Sequence, residues 1–377
     1  MNIILIQIRV FSNAKNMKSI LIIYTSIGLG HKKIAENIAS VLQSGLNNNV
    51  ELLDLYDVES GNLKKYGEKL YYFLLKYFPG IWEFFYINKV FIHTTLPLRT
   101  FVARFNSTEL AKILTDKHYD IVISTHANSS AIVSYLKDKG VYNGKFVIAF
   151  SDYHLHRYWL YDNADLYLAN IDQQKEEMVS RGIKPGKIVV CGMTLQKNET
   201  VVDKQKVRNN FGLKENDKVI AVLAGSRGFG MNSDIIDELV KIDATIFVVC
   251  GTSEETKMRL TEEYRNFSNV KVLGYINIRE LVAIANIVVT KPGGLTVAEC
   301  LEQRVPILVS HFLPGQERLN IEYLKERSLI MPLSKDYYST VKSELETGDF
   351  AARLKENPNV KLIVQYGEGI REAISRL

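Results

Sequence analysis

The chain alternates short, unbroken apolar runs with stretches in which apolar residues recur every three or four positions. Ser19-Ile20-Leu21-Ile22-Ile23-Tyr24 is such a run; its continuity predicts a strand covered on both faces. Gly28 and Gly30 follow, and then Ile34, Ile38, Val41 and Leu42 fall at helical spacing. The unit reads as strand, glycine turn, helix. Further strands are predicted at Val50–Leu55, Ile121–Ser124 and Phe146–Phe150, with helical stretches at Glu109–Leu114 and Ser130–Lys137. A second series opens with the strand Val219–Leu223 and a turn holding Gly225, Gly228 and Gly230. Its later strands are predicted at Ala244–Cys250, Val270–Val272, Ile287–Thr290 and Pro306–Val309. Strands alternating with helices predict doubly wound parallel sheets, here in two α/β halves. No internal repeat relates the halves, and the boundary is expected near Met193–Val202.

A chain of 377 residues exceeds one comfortable core and points to about two domains. The expected division is 1–17 as an extension or misassigned start, 18–195 and 196–350 as the two domains, and 351–377 as a helical segment packing back on the first. With 46% hydrophobic and 24% charged residues the composition is that of a folded chain. No apolar run reaches the ~18–20 residues that span a bilayer. The apolar start Met1–Ile8 lacks the basic flank and cleavage site of a signal peptide, and Met17 directly precedes the first strand. The three cysteines, Cys191, Cys250 and Cys300, form no CxxC pair; they read as buried hydrophobes in a reducing compartment, not as a metal or redox site. A net charge of +5 suits anionic lipid or nucleotide partners. Nucleic acid is not expected, because the basic residues mix with buried-type aromatics and no nucleic-acid motif is present.

Candidate chemistry sits in the turns. In Ser26-Ile27-Gly28-Leu29-Gly30-His31 the glycines let backbone approach a ligand. His31 at the helix start feels the positive end of the dipole, which favours a neutral ring able to act as a base near pH 7; a helix-capping role is the competing reading. The loop Ala224-Gly225-Ser226-Arg227-Gly228-Phe229-Gly230 has neither the dinucleotide nor the Walker A spacing. Gly225, Ser226 and Arg227 are read as lining a cleft, with Arg227 facing phosphate or solvent. The strongest signal is Thr290-Lys291-Pro292-Gly293-Gly294-Leu295-Thr296-Val297-Ala298-Glu299. A strand ends in Pro-Gly-Gly and a helix is expected to begin near Leu295–Thr296. Gly293, Gly294 and Thr296 then make a diphosphate cradle, and Glu299, about a turn later, reaches for ribose hydroxyls or favours the dipole. In Leu313-Pro314-Gly315-Gln316-Glu317, Gln316 and Glu317 suit sugar hydroxyls or simply start a helix. Asp152 follows a strand, where α/β ligands gather; His156 and Trp159 are read as acceptor-side contacts or packing. His126 is a weaker case.

The segments Lys291–Glu299 and Pro314–Glu317 resemble the nucleotide-sugar signature of the monogalactosyldiacylglycerol synthase and processive diacylglycerol glucosyltransferase group of glycosyltransferase family 28. Gly28-Leu29-Gly30-His31, Ser151–Trp159 and Gly182–Met193 are similar to other segments of that group. The resemblance spans roughly Lys18 to Asn320. It implies a GT-B fold, two Rossmann-like domains facing a central cleft, and an inverting hexosyltransferase that uses a UDP-sugar as co-substrate. Gly225, Ser226, Arg227, Gly293, Gly294, Thr296, Glu299, Gln316 and Glu317 would take the donor. Gly28, Gly30, His156 and Trp159 would serve the lipid acceptor, diacylglycerol or a glycosylated form. His31 and Asp152 would carry the chemistry, with no metal and no cofactor. The Gly-Ser element of the second loop departs from the Gly-Gly-Gly-x-Gly run of the diacylglycerol enzymes. It is closer to the lipid-linked peptidoglycan GlcNAc transferase, which keeps UDP-GlcNAc with an undecaprenyl acceptor as an alternative. A module that binds nucleotide or lipid without turnover is another, and a UDP-sugar 2-epimerase is conceivable on the fold.

From Leu63 to Phe105 the chain is crowded with aromatic and basic residues, among them Tyr77, Phe78, Trp82, Phe84, Phe85, Lys89, Arg99, Phe101 and Arg104. Rings beside cations suit an anionic headgroup boundary. The expectation is a peripheral protein on the cytoplasmic face of the membrane.

Overall fold

The computed structural model describes residues 17–26, 29–46, 48–58, 73–75, 77–196, 202–225 and 233–377. Its contacts define two compact units. The first holds the chain to Gln196 with Pro314–Gln316 and Gln365–Leu377; the second holds Lys197–Leu313 and Glu317–Val364.

The first unit runs β1 (Ser19–Tyr24), α1 (Leu29–Leu46), β2 (Asn49–Asp54), α2 (Leu55–Val58), α3 (Pro79–Ile87), α4 (Lys89–Phe105), α5 (Thr108–Asp116), β3 (Ile121–Ser124), α6 (Ala127–Asp138), β4 (Lys145–Ala149), β5 (Leu166–Ala169), α7 (Asp172–Ser180), β6 (Ile188–Val190) and β7 (Met193–Thr194). Six strands form a parallel sheet in the order β2-β1-β3-β4-β5-β6, with Ile22 beside Leu52 on one side and Ile123 on the other. Helices on both faces explain the unbroken apolar runs: all of Ile121–Ser124 and Leu166–Ala169 is buried. The edge strand β2 is covered less completely: Val50 and Leu53 are buried, whereas Leu52, on the same face as Val50, is exposed.

The second unit runs α8 (Lys204–Asn210), β8 (Val219–Leu223), α9 (Ser233–Leu239), β9 (Thr245–Val249), α10 (Glu254–Glu263), β10 (Val270–Leu273), α11 (Ile278–Ile284), β11 (Ile287–Thr290), α12 (Gly294–Glu302), β12 (Ile307–Val309), α13 (Gln316–Glu326), α14 (Tyr337–Thr347), α15 (Asp349–Glu356) and α16 (Val360–Ile363). Its five strands are parallel in the order β10-β9-β8-β11-β12. The chain then returns to the first unit. There β13 (Val364–Gln365) pairs with β7, and α17 (Glu368–Ser375) packs against α1.

In each sheet the chain starts in the middle and later crosses to the other side. The reversal falls between β1 and β3 in the first sheet and between β8 and β11 in the second. In such sheets the loops leaving the carboxyl ends of the strands at the reversal are the usual ligand position. Among the described residues no helix is long and apolar enough to cross a membrane.

Candidate active site

At the first switch point β1 feeds α1, whose third residue is His31. Its Nδ1 lies 2.7 Å from the carbonyl oxygen of Thr125, just beyond β3. A carbonyl only accepts, so Nδ1 carries the proton and Nε2 keeps its lone pair. The ring therefore bonds across the switch point. It retains some accessible surface, yet the protein around it is dense enough that burial lowers its pKa below the ordinary 6.5, against the opposing pull of Asp152 and the Thr125 bond. Neutral, with a free lone pair at Nε2, His31 is equipped to accept a proton at neutral pH. Gly30 is exposed beside it, with no atom where a Cβ would go; Gly28 lies outside the described residues.

Asp152, beyond β4, accepts at Oδ2 from Ser151 Oγ at 3.0 Å and from Gln316 Nε2 at 2.8 Å. Gln316 thus sits with Asp152 in the first unit. The preceding Gly315 has φ +81° and no room for a side chain, because a Cβ would lie 2.8 Å from Tyr86. That backbone favours glycine on both counts. His156 is buried, and both of its nitrogens are engaged: Nε2 donates to the Tyr86 carbonyl at 3.0 Å and Nδ1 accepts from Tyr158 N–H at 3.3 Å. Burial pushes its pKa down to about 4. Trp159 packs against Phe150, with ring centroids 5.4 Å apart.

At the second switch point Gly225 follows β8 with φ +76°, and a Cβ there would meet Lys291 Cε at 3.0 Å. Ser226 and Arg227 lie outside the described residues. Gly293 is the N-cap of α12, and the helix starts at Gly294, one residue before the expected start. Thr296 stands in the first turn, half-buried, and Glu299 is buried further along the same helix. Glu317 is buried too: Oε1 meets Lys291 Nζ at 2.5 Å and Oε2 accepts from Leu313 N–H at 2.6 Å. Asn320, fully buried, donates to the Pro292 carbonyl at 3.1 Å and fixes the Pro-Gly-Gly turn. The structure therefore gathers Gly225, Lys291, Gly293, Gly294, Thr296, Glu299 and Glu317 in the second unit. It gathers Gly30, His31, Asp152, His156, Trp159 and Gln316 in the first. Sequence reasoning passed over Lys291, whose place directly after β11 was the available signal.

Two parallel-sheet α/β units with ligand-type loops at their switch points define a GT-B glycosyltransferase fold. The same fold occurs in SsfS6, a Streptomyces glycosyltransferase (TM-score 0.62, 9% identity, covering 95% of this chain and 99% of that one). It occurs also in Anabaena HepE in complex with UDP and glucose (0.55, 13%, 95% and 98%). The monogalactosyldiacylglycerol (MGDG) synthase family model matches residues 31–195, and the glycosyltransferase family 28 C-terminal domain matches 219–320. The chain belongs to glycosyltransferase family 28 and is a glycosyltransferase. Similar relatives include the processive diacylglycerol beta-glucosyltransferases of Bacillus pumilus, 26% identical over 350 residues and 90% of each chain, and of Bacillus subtilis, 26% identical over 365 residues, 95% of this chain and 94% of that one.

Proposed function

We propose that the protein moves a hexose from a UDP-sugar to a membrane lipid acceptor, diacylglycerol or a glycosyl-diacylglycerol, in one inverting displacement. The observation that carries this reading is His31, neutral and with Nε2 unprotonated, at the switch point of the first sheet. The acceptor hydroxyl attacks the anomeric carbon as the bond to UDP breaks. The proton passes to His31 Nε2 and the electron pair leaves with the diphosphate. In the second unit Gly293, Gly294 and Thr296 at the start of α12 meet that growing charge, a task helix N-termini perform without a cation. Glu299 accepts from the ribose, and Gln316 with Glu317 serves the hexose. Asp152 steadies the imidazolium by its charge, the direction in which it already pulls the His31 pKa.

The names of the relatives, diacylglycerol beta-glucosyltransferases, support glucose and diacylglycerol as the pair. The place proposed is peripheral, on the cytoplasmic face of a membrane; contact with a membrane surface is supported by α3 and α4. Ile81, Phe84 and Phe85 are exposed on α3; Val90, Leu98, Phe101, Val102 and Phe105 are exposed on α4, near exposed Lys89 and Arg104. Arg99 is drawn inward instead, stacked over the Tyr161 ring and donating to the Tyr158 and Leu160 carbonyls. The test is a panel of UDP-glucose, UDP-galactose and UDP-GlcNAc against diacylglycerol vesicles and an undecaprenyl-linked acceptor. Transfer of a hexose to diacylglycerol is expected. Transfer of GlcNAc to the undecaprenyl lipid alone, or no transfer in any pairing, overturns the proposal.

A further inference from the structure

We infer that His126 is a positioning residue for His31: its ring closes the side of the His31 imidazole and keeps that ring oriented and dry, in the tautomer that the Thr125 carbonyl selects. The inference deepens the reading of His31 as the base and rests on it. The two histidines follow the neighbouring strands β1 and β3 at the switch point, one early in α1 and the other as the N-cap of α6. Their rings meet edge to face, 4.7 Å between centroids with planes at 90°.

Their tautomers are set from opposite directions. His31 Nδ1–H donates to the Thr125 carbonyl, whereas His126 Nδ1 accepts from Asn128 N–H at 3.2 Å. One peptide segment, Thr125 to Asn128, therefore fixes both rings, with His126 between the two anchoring residues. Thr125 Oγ1 returns a bond to the His31 carbonyl at 3.3 Å, which ties the same segment to α1.

The groups that bear on His31 from packed elements are His126 at the start of α6 and Asp152 beyond β4; Lys32, Lys33 and Glu36 lie on α1 itself. His126 is held neutral by burial and by the proximity of His31, so it adds bulk and dryness beside the base without adding a charge. Removing the ring admits water and relaxes the His31 orientation.

Two substitutions separate the ring from the cap. His126→Asn keeps a good N-cap and removes the ring; His126→Phe keeps an aromatic ring and removes the cap. Histidine side chains are followed by nitrogen-15 NMR against pH, and transfer kinetics are measured in parallel. In the Asn variant the His31 midpoint is expected to rise by about half a pH unit or more as desolvation weakens. Its kcat is expected to fall roughly tenfold with the UDP-sugar KM unchanged. In the Phe variant the His31 midpoint stays at its wild-type position. An unchanged His31 midpoint in the Asn variant, or equal shifts in both variants, overturns the inference. If His31→Ala retains full transfer, the base assignment falls by itself, because the NMR titrations judge the contact between the rings without any turnover.

Discussion

His31 owes its chemistry to one hydrogen bond and to its surroundings. The Thr125 carbonyl selects the tautomer and burial lowers the pKa, so the acid limb of kcat is predicted to have its midpoint below 6.5, with a flat rate from about pH 7 upward. A limb centred above 6.5 contradicts this. His31→Ala is expected to lower kcat by a factor of about 10² or more while UDP affinity, read by calorimetry, holds. In the second unit Glu299→Ala is expected to weaken UDP roughly tenfold, the loss of a hydrogen bond to a charged group; unaltered affinity removes Glu299 from the donor site. The glycine turns and Glu299 were legible because a strand ending in Pro-Gly-Gly before a helix is a local pattern. The Lys291–Glu317 pair was not legible. Its partners lie 26 residues apart, and nothing local announces that a glycine at 225 makes room for the lysine stem.

At the scale of elements, apolar continuity located most strands. Ser19–Tyr24, Ile121–Ser124, Val219–Leu223 and Ile287–Thr290 coincide with β1, β3, β8 and β11. Strand β5, Leu166–Ala169, and the three-residue β6 went unnoticed, although β3 and β11 are no longer than β5. Long aromatic stretches gave the opposite difficulty: sequence could not tell exposed rings from packed ones. The fold sorts them, leaving Phe84 and Phe101 more than half exposed while Trp159 packs inward. Replacing Phe84 and Phe101 together with Asp is predicted to cut binding to anionic vesicles several-fold, by loss of buried apolar area. UDP affinity should stay unchanged in that variant. Vesicle binding equal to wild type in a sedimentation assay removes α3 and α4 from the membrane face.

For the molecule as a whole, depressed histidines make stability depend on pH. His31, His126 and His156 bind protons less readily folded than unfolded. Their stabilisation is complete above the unfolded value of about 6.5 and is lost as pH falls. For His156 the loss continues down to about 4 and amounts to roughly 3 kcal/mol. Urea midpoints are therefore expected to fall between pH 7.5 and 5; midpoints that hold or rise contradict the assigned protonation states. The two-unit α/β plan was legible from the strand–helix alternation, and the family from the residues around Gly293 and Glu317. The close pairing of the two switch-point histidines was not, because it depends on β1 and β3 lying side by side.

The most direct test of the whole account is the anomeric configuration of the product formed from UDP-glucose and diacylglycerol vesicles, determined by proton NMR. A β-linked glucosyl lipid, formed with one UDP released per bond and lost in His31→Ala, is the predicted result. An α-linked product, or UDP-glucose consumed equally in the absence of lipid, would contradict it.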